Sequence, residues 1–150
     1  MFKRYPFVKQ EGIKDCGVAS LLMIIKYYKG YVGIEELRDM TKTDKKGTTA
    51  YHLIEAAKKI GFEAIGIKCT INDITKNKVI LPCIAHVTLE DSYYHYVVVY
   101  EVNFNKKEVL IADPSNKIKR ISFDDFNKIW NNVLITLYPI VKIPNSFLAI

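Results

Sequence analysis

A chain of 150 residues, 49% of them hydrophobic, can build one core and has little room for two, so a single domain over 1–150 is expected. Its three cysteines, Cys16, Cys69 and Cys83, show no CxxC or other metal-ligand spacing, which argues against a disulfide framework or a zinc site and favours free thiols in a reducing compartment. The formal charge of +6 is dispersed in small lysine clusters that suit a solvated surface or an acidic partner, and there is no nucleic-acid motif, no secretory signal in MFKRYPFVKQ and no apolar run of the ~20 residues a membrane span needs.

Residues 16–29 are apolar nearly all round, the pattern of a helix buried in a core, with Asp15 as expected N-cap and Gly30 as stop. Residues 34–40 read as a short helix and 41–47 as an exposed loop. Residues 49–60 form an amphipathic helix with Ala50, Leu53, Ile54, Ala57 and Ile60 on one face, Thr48 as cap and Gly61 as stop. Residues 62–68 alternate as a strand, and 71–76 suit one helical turn. Strands follow at 79–89, where Pro82 predicts an edge or a bulge, at 96–104 and at 109–112, with a turn at 105–107. Ser122 and Asp125 have capping-box spacing before a short helix through Trp130, and 133–141 is a closing strand. Helices come first and antiparallel strands follow, which defines an α+β class with a buried helix packed on a sheet.

The chemistry starts at Cys16. Its place at a helix start, where partial positive charge and free N–H groups gather, favours a reactive thiolate, and the following Gly17 is expected to keep the approach to sulfur open. Cys69 and Cys83 fall in or beside apolar strand patterns and read as inert. A thiol enzyme needs a base. His52 lies within the amphipathic helix and suits a surface or packing role. His86 lies mid-strand and suits a satisfied core residue. His95 opens a strand directly after the polar segment 90–94, a good position for a side chain facing both scaffold and substrate. Asp113 ends the strand VLIAD before Pro114. A hairpin centred on Phe104 sets Asp113 opposite His95, where its carboxylate would fix the ring tautomer; a turn centred nearer Lys106 shifts that register unless a bulge restores it, and a turn-forming role for Asp113 is equally open. Gln10, six residues before Cys16, could donate to an oxyanion together with the Cys16 N–H.

Gln10, the run DCGVASLLM from Asp15, Leu81-Pro82, the run HYVVV from His95, Asp113-Pro114 and the segment GTTAYHLIEAAKKIGFEA stand in an order that resembles the C39 peptidases, papain-like N-terminal domains of bacteriocin-exporting ABC transporters. The resemblance runs over nearly the whole chain. It implies a cysteine peptidase with Cys16, His95 and Asp113 as triad and Gln10 at the oxyanion, no cofactor or metal, and cleavage of a peptide leader after a Gly-Gly or Gly-Ala motif. It also implies a location at the cytoplasmic face of a membrane, beside transporter membrane and ATPase domains that are not in this sequence. An amphipathic leader helix would need an apolar groove, for which Met40, Tyr51, Leu53 and Ile54 are candidates. A docking module that does not cut leaders, and an amide-transferring papain-like enzyme, remain the alternatives; a nucleic-acid partner is not expected.

Overall fold

The computed structural model describes residues 4–75, 79–90 and 93–145. The buried apolar run forms α1 (Cys16–Tyr27), preceded by a single 3-10 turn at Ile13–Asp15. Then come α2 (Ile34–Met40), α3 (Ala50–Ile60), β1 (Phe62–Lys68), α4 (Ile71–Thr75), β2 (Cys83–Leu89), β3 (Tyr93–Asn103), β4 (Glu108–Ala112), β5 (Ile118–Ser122), α5 (Phe123–Ile129) and β6 (Trp130–Pro139).

The strands form one antiparallel sheet in the order β1-β6-β2-β3-β4-β5. Both faces are covered, which explains why β3 reads as a continuous β-branched and aromatic run rather than an alternation. On one face, α1 and its neighbours pack Leu21, Ile24 and Leu53 against Ile84, Tyr96, Val98 and Ile135. On the other, Ile71 and Ile74 of α4 and Phe126 of α5 cover Ala85, Val97, Val99 and Leu134. The α+β class read from the sequence is therefore the class observed, with α1 as the buried central helix.

Several local expectations change. Pro82 does not mark an edge: β2 lies between β6 and β3, and the proline stands just before its first residue, where no ladder N–H is needed. Residues 118–122, not read as a strand, form β5 at the sheet edge; the charged Lys119 and Arg120 there discourage pairing with another chain. Thr49, not Thr48, caps α3, its hydroxyl accepting from the His52 N–H at 3.2 Å. Thr48 instead lies almost buried, its carbonyl accepting from the Tyr96 hydroxyl at 3.0 Å. Ser122 caps α5 as its spacing implied, accepting from the Asp125 N–H at 3.0 Å. Gly30 follows the end of α1 because a Cβ there would stand 2.5 Å from Ile143 and 2.7 Å from the Pro144 carbonyl.

Candidate active site

Cys16 is the first residue of α1 and is 7% exposed. Asp15 before it is no cap. Its φ of −96° and ψ of 4° carry the 3-10 turn on into α1, whereas capping needs an extended residue whose side chain can fold back on the free N–H groups. Its carboxylate is buried and takes a two-point pair from Arg38 of α2, with Nε at 3.0 Å and Nη2 at 2.7 Å. Arg38 also binds Glu11 and Glu35, so one guanidinium joins the start of α1, the segment leading to it and α2. Gly17 serves packing rather than access to sulfur: a Cβ there would press at 3.2 Å on Thr48 and 3.3 Å on Leu53.

His95 and Asp113 meet in the protein interior, with His95 1% and Asp113 6% exposed. The register that joins them depends on a bulge. From Asn103↔Glu108 to Glu101↔Leu110 the β3–β4 ladder would bring residue 113 level with Val98. An extra residue between Val99 and Glu101 moves the pairing to Val99↔Ile111 and Val98↔Ala112, so that Asp113 falls level with Val97. Side chains two apart share a face, and Asp113 becomes the diagonal neighbour of His95. The His95 Nε2 lies 2.7 Å from Asp113 Oδ1. The turn is thus centred later than Phe104, and the bulge restores the pairing of the two side chains. Positions 91–92 of the polar segment before His95 lie outside the described residues.

The carboxylate is further held by Ser115, whose N–H and hydroxyl donate to Oδ1 at 2.9 and 2.7 Å. Burial opposes both charges, but the mutual hydrogen bond overcomes it: the Asp113 carboxyl is held at about 2, with help from Ser115, and the His95 imidazolium persists up to about 9. Cys16 contributes to the rise at His95 by hydrogen bonding and by charge. With Nε2 taken by Asp113, Nδ1 is the nitrogen left for sulfur. It has no partner within ordinary hydrogen-bond limits, so the thiol contact is loose, as such contacts often are before substrate binds.

Gln10 arrives beside this group because its backbone N–H donates to the Pro114 carbonyl at 2.9 Å, tying it to the residue after Asp113. Its Nε2 donates to the Gly12 carbonyl at 3.0 Å, and its nearness lowers the Tyr93 pKa against the larger raising effects. Tyr93 stacks on the His95 ring with centroids 5.6 Å apart, and burial, followed by the nearness of Cys16, pushes its phenol up. Sequence reasoning passed over Tyr93 because a tyrosine at a strand start carries no chemical signature of its own.

A cleft of about 410 Å³ opens at Cys16, lined by Ile13, Lys14, Lys45, Lys46, Gly47, Thr48, Thr49, His86, Tyr93, Tyr94 and Tyr96. His86 therefore borders the cleft and is not a core residue. Of the groove candidates, Tyr51 is 66% exposed, Met40 and Ile54 are half-buried against the core, and Leu53 is buried at 1% where Gly17 lets α1 approach, so it offers no surface. Of the other thiols, Cys83 is buried and Cys69 half-buried, and burial raises both pKa values. Among the described residues no group of three or more His, Cys, Asp or Glu side chains could hold a metal ion, and no helix is long and apolar enough to cross a membrane.

A thiol at a helix start, with a buried imidazole–carboxylate pair on the facing sheet of an α+β fold, defines a papain-like thiol-peptidase architecture. The chain belongs to the Peptidase C39 family, which it matches over residues 4–142. It is 38% identical over 128 residues to the lactococcin-G-processing and transport ATP-binding protein LagD of Lactococcus lactis, covering 85% of this chain and 18% of that protein. It is 34% identical over 125 residues to the transport/processing ATP-binding protein ComA of Streptococcus pneumoniae, covering 83% of this chain and 17% of that protein. The chain thus spans about a fifth of the length of the curated relatives it matches. Among solved structures it superposes on the peptidase domain of Streptococcus ComA with a TM-score of 0.84 and 38% identity, covering 91% of this chain and 99% of that one. It also superposes on a double glycine motif protease from an AMS/PCAT transporter in complex with the leader peptide, with a TM-score of 0.79 and 28% identity, covering 91% of this chain and 92% of that one.

Proposed function

We propose that this chain is a cysteine endopeptidase that removes the leader of a ribosomally made precursor peptide by cutting after a double-glycine-type motif. The observation that carries the reading is the buried His95–Asp113 pair, bonded at 2.7 Å and bearing on the thiol of Cys16. Near neutral pH the thiol proton already rests on His95, and the Cys16 sulfur attacks the carbonyl carbon of the residue before the scissile bond. The oxyanion is met by the Cys16 backbone N–H and by Gln10; Nε2 carries two hydrogens, so one can stay on Gly12 while the other turns to the substrate. The imidazolium, held by Asp113, then protonates the leaving amine, and a water activated by His95 hydrolyses the thioester.

Glycines at the two positions before the cut suit a cleft whose walls near Cys16 carry the rings of Tyr93, Tyr94 and Tyr96. Exposed Tyr51, with half-buried Met40 and Ile54, offers apolar surface to the leader helix. The relatives are transport/processing ATP-binding proteins, so the same work here belongs with transporter membrane and ATPase domains, on the cytoplasmic side where precursors are made. Residues 1–150 then act as one peptidase unit.

The test is mass spectrometry of a leader–core peptide incubated with the protein and with Cys16→Ala. Wild type should release core and leader at the double glycine, and Cys16→Ala should bind the peptide without cutting it. Binding without cleavage by wild type would leave a docking module instead.

A further inference from the structure

Beyond the triad, and resting on the peptidase reading above, we infer that His86 is a substrate-positioning residue whose Nε2–H donates to a backbone carbonyl of the peptide in the Cys16 cleft. His86 lines the same cleft as Cys16, while His95 lies beneath it at 1% exposure. The ring is fixed on several sides. Tyr94 and Tyr96 flank it with centroids 5.2 and 5.4 Å away. Asn131 faces it from β6 with Nδ2 2.9 Å from Nδ1, and that amide is itself held by Thr88, Nδ2 donating to Oγ1 at 2.9 Å and Oδ1 accepting from it at 3.1 Å.

The sheet is irregular at this point. The β2–β6 ladder runs to His86↔Val133 and then skips to Val87↔Trp130, leaving Asn131 and Asn132 unpaired, with Asn132 at a φ of 62°. A side chain re-aimed by a bulge beside a cleft commonly serves the site. Here the bulge puts the Asn131 amide on His86. Because Nδ1 accepts from that amide, the ring proton sits on Nε2, and burial lowers the pKa, keeping the ring neutral near pH 7. Among the described residues Nε2 has no hydrogen-bond partner. A neutral donor fixed at the wall of a peptide-binding cleft, with nothing of its own to bind, matches the one acceptor every peptide offers, its backbone carbonyl.

The experiment is steady-state cleavage of a double-glycine precursor by wild type, His86→Phe and His86→Gln, with the rate of Cys16 alkylation by iodoacetamide measured on each. Loss of one neutral hydrogen bond made equally to substrate and transition state should raise KM for His86→Phe about five- to tenfold with kcat little changed. His86→Gln, whose amide can still donate, should recover most of that loss, and Cys16 alkylation should be unchanged in both. Wild-type KM in His86→Phe, with wild-type cleavage intact, overturns this inference and leaves the peptidase reading standing. Alkylation slowed by His86→Phe shows that His86 acts on the thiol, which also overturns it. A wild type that leaves the precursor uncut overturns both readings.

Discussion

At the scale of single residues, the site depends on how burial and hydrogen bonding are balanced at His95 and Asp113. The imidazole alone would lose its charge on burial, yet the carboxylate 2.7 Å away holds it charged up to about pH 9. The signs follow. His95 is raised from 6.5, so its share of stability is full below about pH 6.5 and is lost as pH rises through about 9. Asp113 is lowered from 3.8, so its share is present above about pH 4 and is lost as pH falls through about 2. For activity, kcat/KM should fall on the alkaline side with a midpoint near pH 9, where the imidazolium that protonates the leaving amine disappears. Asp113→Asn should move that midpoint downward; an alkaline limb at the same pH in both proteins would remove Asp113 from the control of His95. Gln10→Ala should lower kcat by about 10²–10³ with KM nearly constant, the signature of an oxyanion donor, and a KM effect alone would make it a binding residue.

At the scale of elements, a helix start and two bulges assemble the site. The sequence shows the helix start, because a nearly all-apolar run beginning at Cys16 has few other meanings. It shows the identities of His95 and Asp113 but not how they meet: simple hairpin pairing puts one opposite the other, whereas the strands pair later and an extra residue in β3 recovers the shared face. No residue pattern in YVVVYEVNF marks that insertion. His86 is misread for a similar reason, since its neighbours are apolar and only the β2–β6 irregularity brings Asn131 to it. Asp15 has the right type and position for a cap, but its backbone and Arg38 give it another use. Arg38→Ala should leave the buried Asp15 carboxylate unpaired and cost about 3 kcal/mol in denaturant unfolding. A change under about 0.5 kcal/mol would mean that Arg38 behaves as an ordinary surface cation.

At the scale of the molecule, a sheet covered on both faces keeps the pair dry while the start of α1 stays at the mouth of a cleft. The α+β class and the central helix were legible because long apolar runs must be buried somewhere; β5 was not, since an edge strand carrying Lys119 and Arg120 has the composition of a loop. On the proposed double-glycine specificity, substrate choice is steric at this scale. Replacing the glycine before the scissile bond of a precursor by valine should abolish cleavage, and equal rates would argue against a narrow cleft.

The peptidase reading requires that His95 activate the thiol of Cys16. The direct measurement is the rate at which iodoacetamide modifies each cysteine of the folded protein near pH 7, read by peptide mass spectrometry, in wild type and in His95→Ala. Cys16, although itself buried, should react first, ahead of Cys69 and Cys83, and should slow by about tenfold or more in His95→Ala. Cys16 reacting at one rate in both proteins, or no faster than Cys69, would contradict the account.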